Sequence, residues 1–318
     1  MNFKEQKNGI VKKNRKILLK ILLVLCFSVV LTGLVSTAVY FTKKIVFQGN
    51  SVQHLKSAWN EYDYRKVYEI SSAVLEQRPF NNTALTYKGY ASFFLSLSEN
   101  DTSKSLLFLD EAIINLRLAL QDARTKTSPQ IEYMLGKSYF FKNSISSFHY
   151  YSDLAVEYLK RSVDHGYRSD DIYEYLGLSY ASLDMTMESI SAFTKALLTR
   201  ESDLLLLSIG EQYYKAGQLV AAEQYLFRIS RDCQDENITD KSHLLLGKIY
   251  TEQKKYDEAE NEFMIILENK ENSADAYYGL GVICERRGDI IKARSYWRKA
   301  LRIQVNHPES LRKLAEYK

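Results

Sequence analysis

The histidine, cysteine and serine side chains are the groups in this chain that could ligate a metal or act as nucleophiles, and their spacing supports neither role. None of the histidines forms the His-x-x-x-His or Glu-x-x-His pair that places two ligands on one helix face. They are spread along the chain at His54, His149, His165, His243 and His307. No serine lies in a Gly-x-Ser-x-Gly turn, and no glycine-rich phosphate loop is present. The sequence therefore predicts no catalytic residue, no metal site and no cofactor.

The three cysteines, Cys26, Cys233 and Cys284, are too few for a multi-bridge disulfide scaffold. Cys233 lies in a polar stretch, SRDCQDEN, whereas Cys284 follows an apolar run. A bridge between them would need an oxidising compartment and an accessible partner. We expect Cys284 to be an inert buried thiol instead.

The charge of the chain is concentrated at its amino terminus. The formal net charge is +4 over 318 residues. Residues 1–44 carry nine lysines or arginines and one acid, whereas the remaining 274 residues carry 34 basic and 38 acidic side chains. The bulk of the chain thus lacks the basic stripe of a nucleic-acid-binding domain, and no nucleic-acid partner is predicted.

An uncharged stretch follows the basic tail. Residues 21–41, ILLVLCFSVVLTGLVSTAVYF, are 21 in number, which is long enough for a helix that spans a hydrocarbon core of about 30 Å. The excess of basic residues before this stretch predicts that residues 1–16 are cytoplasmic. We therefore expect a single-pass anchor at residues 17–42 in the lipid bilayer of a bacterial cytoplasmic membrane, with the rest of the chain extracytoplasmic.

Three alternatives compete with this anchor. A signal peptide cleaved near Ser36-Thr37-Ala38 has an acceptable site, but its apolar region usually spans only about 7–15 residues. A lipoprotein signal ending at Cys26 is disfavoured by the bulky Leu25 before it. A buried core helix is disfavoured by the uninterrupted length and the basic flank.

A repeat of about 34 residues runs through the remainder. Glycines recur at intervals of 33 to 47 residues, and in the last five units a tyrosine or cysteine follows three residues later. In the last four units a small residue follows the glycine by twelve residues and a large apolar residue by sixteen. The glycines are Gly89, Gly136, Gly177, Gly210, Gly247 and Gly281; the last four small residues are Ser189, Ala222, Ala259 and Ala293. In a first unit Leu55 takes the place of glycine, which predicts looser packing there.

This pattern resembles the tetratricopeptide repeat (TPR), a helix-turn-helix unit with small residues at its eighth, twentieth and twenty-seventh positions. The resemblance implies an all-α fold, a right-handed superhelical solenoid of about seven repeats. It implies a linker at residues 43–50, a solenoid at 51–307 and a capping helix at 308–318. The repeats would lie near residues 48–81, 82–128, 129–169, 170–202, 203–239, 240–273 and 274–307.

Two repeats are longer than the others. The spacings between successive eighth positions are 34, 47, 41, 33, 37 and 34 residues. The second repeat has eleven extra residues around 96–105, and the third has seven around 143–151. Such inserts can bind ligands, or they can merely lengthen a helix pair around a solvated turn. Both interpretations stay open for the sequence alone.

The resemblance also implies a partner-binding groove, lined by the second, fifth, ninth, twelfth and thirteenth positions of each first helix. Its predicted lining is Tyr90, Phe93, Tyr133, Lys137, Phe140, Leu207, Glu211, Tyr214, Lys248, Tyr278 and Arg286. Several of these side chains could equally pack between repeats. The clamp that co-chaperones of this family use for a terminal carboxylate needs asparagine at the ninth position, where Lys137 and Lys248 stand here.

These features favour a membrane-tethered, non-enzymatic interaction scaffold in the bacterial envelope, whose partners are other proteins or peptides. One alternative is a periplasmic chaperone that holds client chains against Tyr133, Phe140 and Tyr214. Another is an adaptor that faces the cytoplasm. Repeats of this kind also pair through terminal helices in some members, so a homo-oligomer stays open.

Overall fold

The computed structural model of the chain describes residues 31–37, 53–147, 150–229 and 233–317. All regular structure within these ranges is α-helical. After a helical segment at 31–37, the helices are α1 (53–60), α2 (Tyr64–Gln77), α3 (Asn82–Ser98), α4 (Thr102–Gln121), α5 (Ser128–Ile145), α6 (Ser152–Asp164), α7 (Ile172–Ser182), α8 (Thr186–Leu197), α9 (Asp203–Lys215), α10 (Leu219–Phe227), α11 (Glu236–Glu252), α12 (Tyr256–Asn269), α13 (Ala274–Arg286), α14 (Ile290–Ile303) and α15 (Pro308–Glu316).

The predicted amino-terminal anchor falls mostly outside the described ranges. Residues 31–37 are helical and exposed, whereas the rest of the 17–42 span, the 1–16 tail and the 43–50 linker are not described. Within the described ranges, no helix has the length and apolar content needed to cross a bilayer.

The helices pair in chain order and stack as a right-handed superhelical solenoid. Substantial contacts join each helix to the next one or to the next but one. Each hairpin therefore buries its apolar side mainly against its neighbours, as in other one-dimensional repeat arrays. Helix α15 packs on the last hairpin, against both α13 and α14.

The eighth-position glycines make room for a large side chain from the second helix of the same hairpin. At each of these six glycines, a β-carbon would lie less than 3.0 Å from one such side chain. The pairs are Gly89 with Leu116, Gly136 with Leu159, Gly177 with Phe193, Gly210 with Leu226, Gly247 with Phe263 and Gly281 with Trp297. The large residue is the one four positions after the small residue, so it fills the space that the glycine leaves open. The small residues Ala222, Ala259 and Ala293 are fully buried beside it.

In the first hairpin the large and the small side chain are exchanged between the glycine position and the position of its large partner. Leu55 stands at the glycine position and is 1% exposed, and Ser71 stands where the other repeats have Leu, Phe or Trp. Both side chains are buried, together with Ala58 and Val67. The looser packing expected from Leu55 is therefore not found, because the small Ser71 compensates in volume.

Five hairpin turns share one geometry. Each has a residue with positive φ just after the first helix: Tyr62, Asp184, Gly217, Lys254 and Gly288. In each, the next N–H bonds the carbonyl five residues earlier, as Asp289 does to Cys284 at 2.9 Å. This is a Schellman ending, which stops a helix and satisfies its last carbonyls.

The two long repeats lengthen their helices. In the second repeat, α3 continues to Ser98 and α4 begins at Thr102, capped by the Asp101 carboxylate, which accepts from the Ser103 N–H at 2.9 Å. The predicted insert at 96–105 is thus mostly helical. In the third repeat α5 continues to Ile145, and residues 148–149 of the connection lie outside the described ranges.

Candidate functional site

The first helices of the repeats form one side of the solenoid. Among the alternate helices in substantial contact, every pair joins two first helices: α3 with α5, α5 with α7, α9 with α11, and α11 with α13. The first helices are therefore packed more closely to one another than the second helices are. This places them on the inner, concave side, which we call the inner face.

The eleven predicted groove residues differ widely in exposure. Tyr90, Phe93, Tyr133 and Leu207 are buried; Lys137, Phe140, Glu211, Tyr214 and Tyr278 are half-buried; Lys248 and Arg286 are exposed. The buried residues belong mostly to the amino-terminal repeats and the exposed ones to the carboxyl-terminal repeats. The inner face is therefore not uniform along the solenoid.

We call the part of the inner face formed by α1, α3, α5 and α7 its amino-terminal half, and the part formed by α9, α11 and α13 its carboxyl-terminal half. Lys137, in the amino-terminal half, is enclosed by aromatic rings. Its Nζ lies 5.7 Å from the ring centre of Phe93, 5.2 Å from that of Tyr133 and 4.7 Å from that of Tyr175. It also lies 2.9 Å from Oδ2 of Asp171, the first residue before α7. The lysine side chain is only 14% exposed, so its charge is compensated within the protein by a carboxylate and by three ring faces.

Asp171 is the centre of a small polar network. Its Oδ1 accepts hydrogen bonds from the Tyr133 hydroxyl, at 2.6 Å, and from the Ser169 hydroxyl. Burial alone would raise the pKa of Asp171, but the hydrogen bonds from Ser169, Tyr133 and Lys137 outweigh burial and lower it. Burial and the bond to Asp171 raise the pKa of Tyr133. The network therefore favours a charged carboxylate and a neutral tyrosine.

We predict that Asp171→Asn lowers the free energy of unfolding by about 1.5–3 kcal/mol near neutral pH, the usual range for a hydrogen bond to a charged group. Because the folded pKa of Asp171 is depressed, its contribution is present above the ordinary carboxyl pKa and is lost as the pH falls through the folded value. The difference in denaturation midpoint from the unmodified protein should therefore shrink on acidification. The exposed neighbour Asp170 gives a matched control, and equal effects of Asp170→Asn and Asp171→Asn would contradict the network.

Aromatic contacts continue through the amino-terminal half. The ring centres of Phe140 and Tyr175 are 5.0 Å apart, and those of Trp59 and Tyr90 are 5.6 Å apart. Phe93 contacts Phe141 of the next repeat at 5.6 Å. These rings pack between neighbouring repeats and stabilise the stack. Most of the apolar surface that the sequence assigns to a ligand in this half is therefore in contact with the protein itself.

The carboxyl-terminal half of the inner face is open and carries charges of both signs. Glu211 on α9 is half-buried and has no hydrogen-bond or ion-pair partner among the described residues. Burial raises its pKa, and the charges of Lys241, Lys215 and Lys248 act in the opposite direction. On the same face, the Tyr214 hydroxyl donates to Glu252 at 2.5 Å.

A cavity of about 300 Å³ lies at the edge of this face, between the starts of α11 and α13 and the ends of α12 and α14. Lys241 and Leu244 of α11 line it together with Ser273, the residue that caps α13. Two acids, Asp240 and Asp275, are also in its lining. The cavity is large enough for one side chain of a bound segment.

Helix α15 closes the carboxyl-terminal end. Glu285 of α13 accepts hydrogen bonds from the Lys313 ammonium, at 2.9 Å, and from the Tyr317 hydroxyl, at 2.6 Å. Arg286 beside it is exposed and has no ion-pair partner among the described residues. Glu285 is therefore held by contacts within the protein, whereas the charge of Arg286 remains available to a ligand.

Three histidine side chains pair with carboxylates of another helix. His165 Nδ1 lies 2.6 Å from Glu132, a fully buried carboxylate that Arg161 also contacts at 2.8 Å. His243 and Glu262 form a similar pair at 2.6 Å, and His307 lies 3.2 Å from Asp275. His149 falls outside the described ranges. Within those ranges, no group of three His, Cys, Asp or Glu side chains is placed to hold a metal ion.

The two described cysteines are both free. Cys284 is buried and Cys233 is partly exposed. Burial raises the pKa of the Cys284 thiol, which makes a reactive thiolate unfavourable.

Sequence reasoning missed Asp171 and Lys241 as residues of the inner face. Both hold the second position of their repeat, six residues before Gly177 and Gly247, and this position belongs to the predicted groove pattern. Spacing alone could have identified them. Glu132 carried no such signal, because its burial depends on packing against α6.

Comparison with known proteins gives matches that agree with this fold. Residues 240–272 and 274–307 match family models described as tetratricopeptide repeat. The chain is also 36% identical over 78 residues to the uncharacterized protein ycf37 of Cyanophora paradoxa. That match covers 23% of this chain and 45% of the relative, so it spans less than half of the relative's length.

Two solved structures share the fold at low sequence identity. One is the carboxyl-terminal part of a TPR repeat-containing protein from Cytophaga hutchinsonii, with a TM-score of 0.58 and 12% identity over 83% of this chain and 99% of that one. The other is the apo form of the quorum sensor NprR from B. thuringiensis, with a TM-score of 0.56 and 17% identity over 84% of this chain and 79% of that one. At these identities the likeness concerns the fold alone. The stacked helical hairpins of this chain thus form a tetratricopeptide-repeat solenoid.

Proposed function

We propose that this protein is a membrane-tethered, non-enzymatic scaffold that binds segments of other proteins on the inner face of its carboxyl-terminal repeats. The observation that carries the proposal is the difference between the two halves of that face. In the amino-terminal half the aromatic side chains and Lys137 are occupied by contacts within the protein. In the carboxyl-terminal half Lys248 and Arg286 are exposed and have no ion-pair partner among the described residues, so their charges remain available to a ligand.

The chaperone alternative receives less support from the same contacts. This alternative requires Tyr133, Phe140 and Tyr214 to act as anchors for client chains. Tyr133 is 7% exposed and bonded to Asp171, Phe140 packs on Tyr175, and Tyr214 donates to Glu252. Holding a client on these rings would require breaking contacts within the protein.

Photo-crosslinking in cells tests where partners bind. A photoreactive phenylalanine analogue would replace Lys248 or Leu204 on the inner face, and Arg298 or Ile114 on the outer surface; all four side chains are exposed. We expect defined adducts from the inner positions and none of these adducts from the outer ones. The same adducts at the outer positions, or no adduct at any position, would contradict the proposal.

The location in the envelope has its own test. We propose a cytoplasmic amino terminus and an extracytoplasmic solenoid on the basis of the basic tail and the uncharged stretch at residues 21–41. A tag placed after Lys318 should be removed by protease in cells whose outer envelope is permeable and whose inner membrane is intact. Protection until the inner membrane is broken would instead support the adaptor that faces the cytoplasm.

A further inference from the structure

The two halves of the inner face differ in how their cations are compensated. Lys137 in the amino-terminal half is 14% exposed and lies 2.9 Å from Asp171. In the carboxyl-terminal half, Lys241, Lys248 and Arg286 are exposed, and none has an ion-pair partner within 4.0 Å among the described residues. Three cations on one concave face therefore lack the compensation that Lys137 has.

Most acids of the carboxyl-terminal half already accept a hydrogen bond from another side chain. Glu252 accepts from Tyr214, Glu285 accepts from Lys313 and Tyr317, and Asp275 lies 3.2 Å from His307. Glu211 is half-buried and interacts with the lysines only over a longer distance. Asp240 is partly exposed in the lining of the cavity near Lys241. Among the described residues of this face, the charges without a direct partner are thus three cations, Lys241, Lys248 and Arg286, and two acids, Glu211 and Asp240, an excess of one positive charge.

The lysines also stand at a spacing that suits an extended or helical ligand. Lys241 and Lys248 are two helical turns apart on α11, and the partly exposed Leu244 lies between them. Leu244 and Lys241 share the cavity of about 300 Å³. An apolar side chain could enter this cavity while neighbouring carboxylates reach the lysines on either side.

We propose that the segment bound by the inner face of the carboxyl-terminal repeats is acidic, with carboxylates at Lys241, Lys248 and Arg286 and an apolar side chain against Leu244. This inference rests on the proposed function and adds the chemical class of the partner. Its acids are side-chain carboxylates within the segment, so it does not require the terminal-carboxylate clamp that this sequence lacks. Electrostatic complementarity of this kind increases the association rate and selects among partners.

A random-peptide phage library, selected on the full chain in lipid nanodiscs, provides the test. Because displayed peptides are fused through their carboxyl end, no terminal carboxylate is available to mimic the clamp. We expect enrichment of peptides that combine Asp or Glu with apolar residues. The double variant Lys241→Glu/Lys248→Glu should lower the affinity of an enriched peptide, synthesised with an amidated end, by ~10-fold or more.

The control carries the same change of charge on the outer surface. Arg298→Glu/Arg302→Glu alters two exposed arginines of α14 and should leave the affinity within about twofold of the unmodified protein, because surface charges far from the ligand are screened.

Enrichment of neutral or basic peptides on the inner face would overturn the inference but leave the proposed function standing. A single-stranded DNA oligonucleotide that binds through Lys241 and Lys248 where peptides do not would overturn the inference as well. No enrichment over empty nanodiscs would count against the proposed function itself.

Discussion

Gly210→Leu is expected to destabilise the solenoid severely, by about 3 kcal/mol or more, because overpacking a well-filled core displaces side chains and backbone. A β-carbon at Gly210 would already lie 2.8 Å from Cδ2 of Leu226, which is 2% exposed. A leucine adds three further carbons beyond this β-carbon, all of which must be accommodated in the same packed region. Urea denaturation followed by circular dichroism should show a large decrease in the midpoint.

The double variant Gly210→Leu/Leu226→Ser separates this explanation from a general intolerance of the helix. It reproduces in the fifth hairpin the exchange that the first hairpin already has in Leu55 and Ser71. Leu226→Ser alone should cost about 2–5 kcal/mol through the cavity that it leaves. If the pair exchanges volume, the double variant should be more stable than the sum of the single effects predicts, by about 1–3 kcal/mol. Additive effects would show that the two positions do not share one space.

Trp297→Ala is the second change with a large expected effect, about 3–5 kcal/mol. Trp297 is fully buried, its indole fills the space above Gly281, and its ring stacks on Tyr317 at 5.9 Å. Its loss removes the apolar contact through which the capping helix α15 closes the stack. We expect both a lower denaturation midpoint and faster proteolysis within α15.

Arg298→Ala is the control for this variant, because Arg298 is an exposed neighbour on the same helix. It should change the free energy of unfolding by no more than about 0.5 kcal/mol, as is usual for a surface substitution. If Trp297→Ala leaves both the midpoint and the proteolysis of α15 unchanged, Trp297 does not hold the cap in place.

The repeat pattern could be read from sequence because it reflects local packing. A glycine such as Gly177 and its partner Phe193 are sixteen residues apart in one hairpin. The same pairing of a glycine with a large side chain of the second helix recurs in six hairpins. The exchange at Leu55 and Ser71 could also have been recognised, since both positions are fixed by that spacing. The glycine position taken alone does not show the exchange, because the volume of Leu55 is compensated only at Ser71.

The chemistry of the inner face was less predictable, because it depends on contacts between neighbouring repeats. Lys137 stands at a groove position, yet its partner Asp171 is 34 residues away on the next repeat. A periodic pattern identifies which side of a helix each residue occupies. It does not show which cations find a carboxylate across the junction, so Lys137 and Lys248 look equivalent in sequence and differ in the structure.

The conformation of the insert in the second repeat was also harder to predict from sequence than its position. The spacing of the glycines locates this insert but does not fix its conformation. Ser105, Leu109, Ala112 and Leu116 are buried at helical spacing on α4, and this spacing continues into the insert, which indicates a longer helix. The capping carboxylate of Asp101 then fixes where that helix begins.

Lysine footprinting of the complex with a crosslinked partner tests the central claim most directly. Lysines would be acetylated with and without the purified partner, and the modified sites quantified by mass spectrometry. The account predicts that Lys241 and Lys248, both exposed in the free protein, lose reactivity, whereas the exposed outer lysines Lys104 and Lys292 do not change. Unchanged reactivity at Lys241 and Lys248, with protection of lysines on the outer surface, would show that partners bind elsewhere on the solenoid.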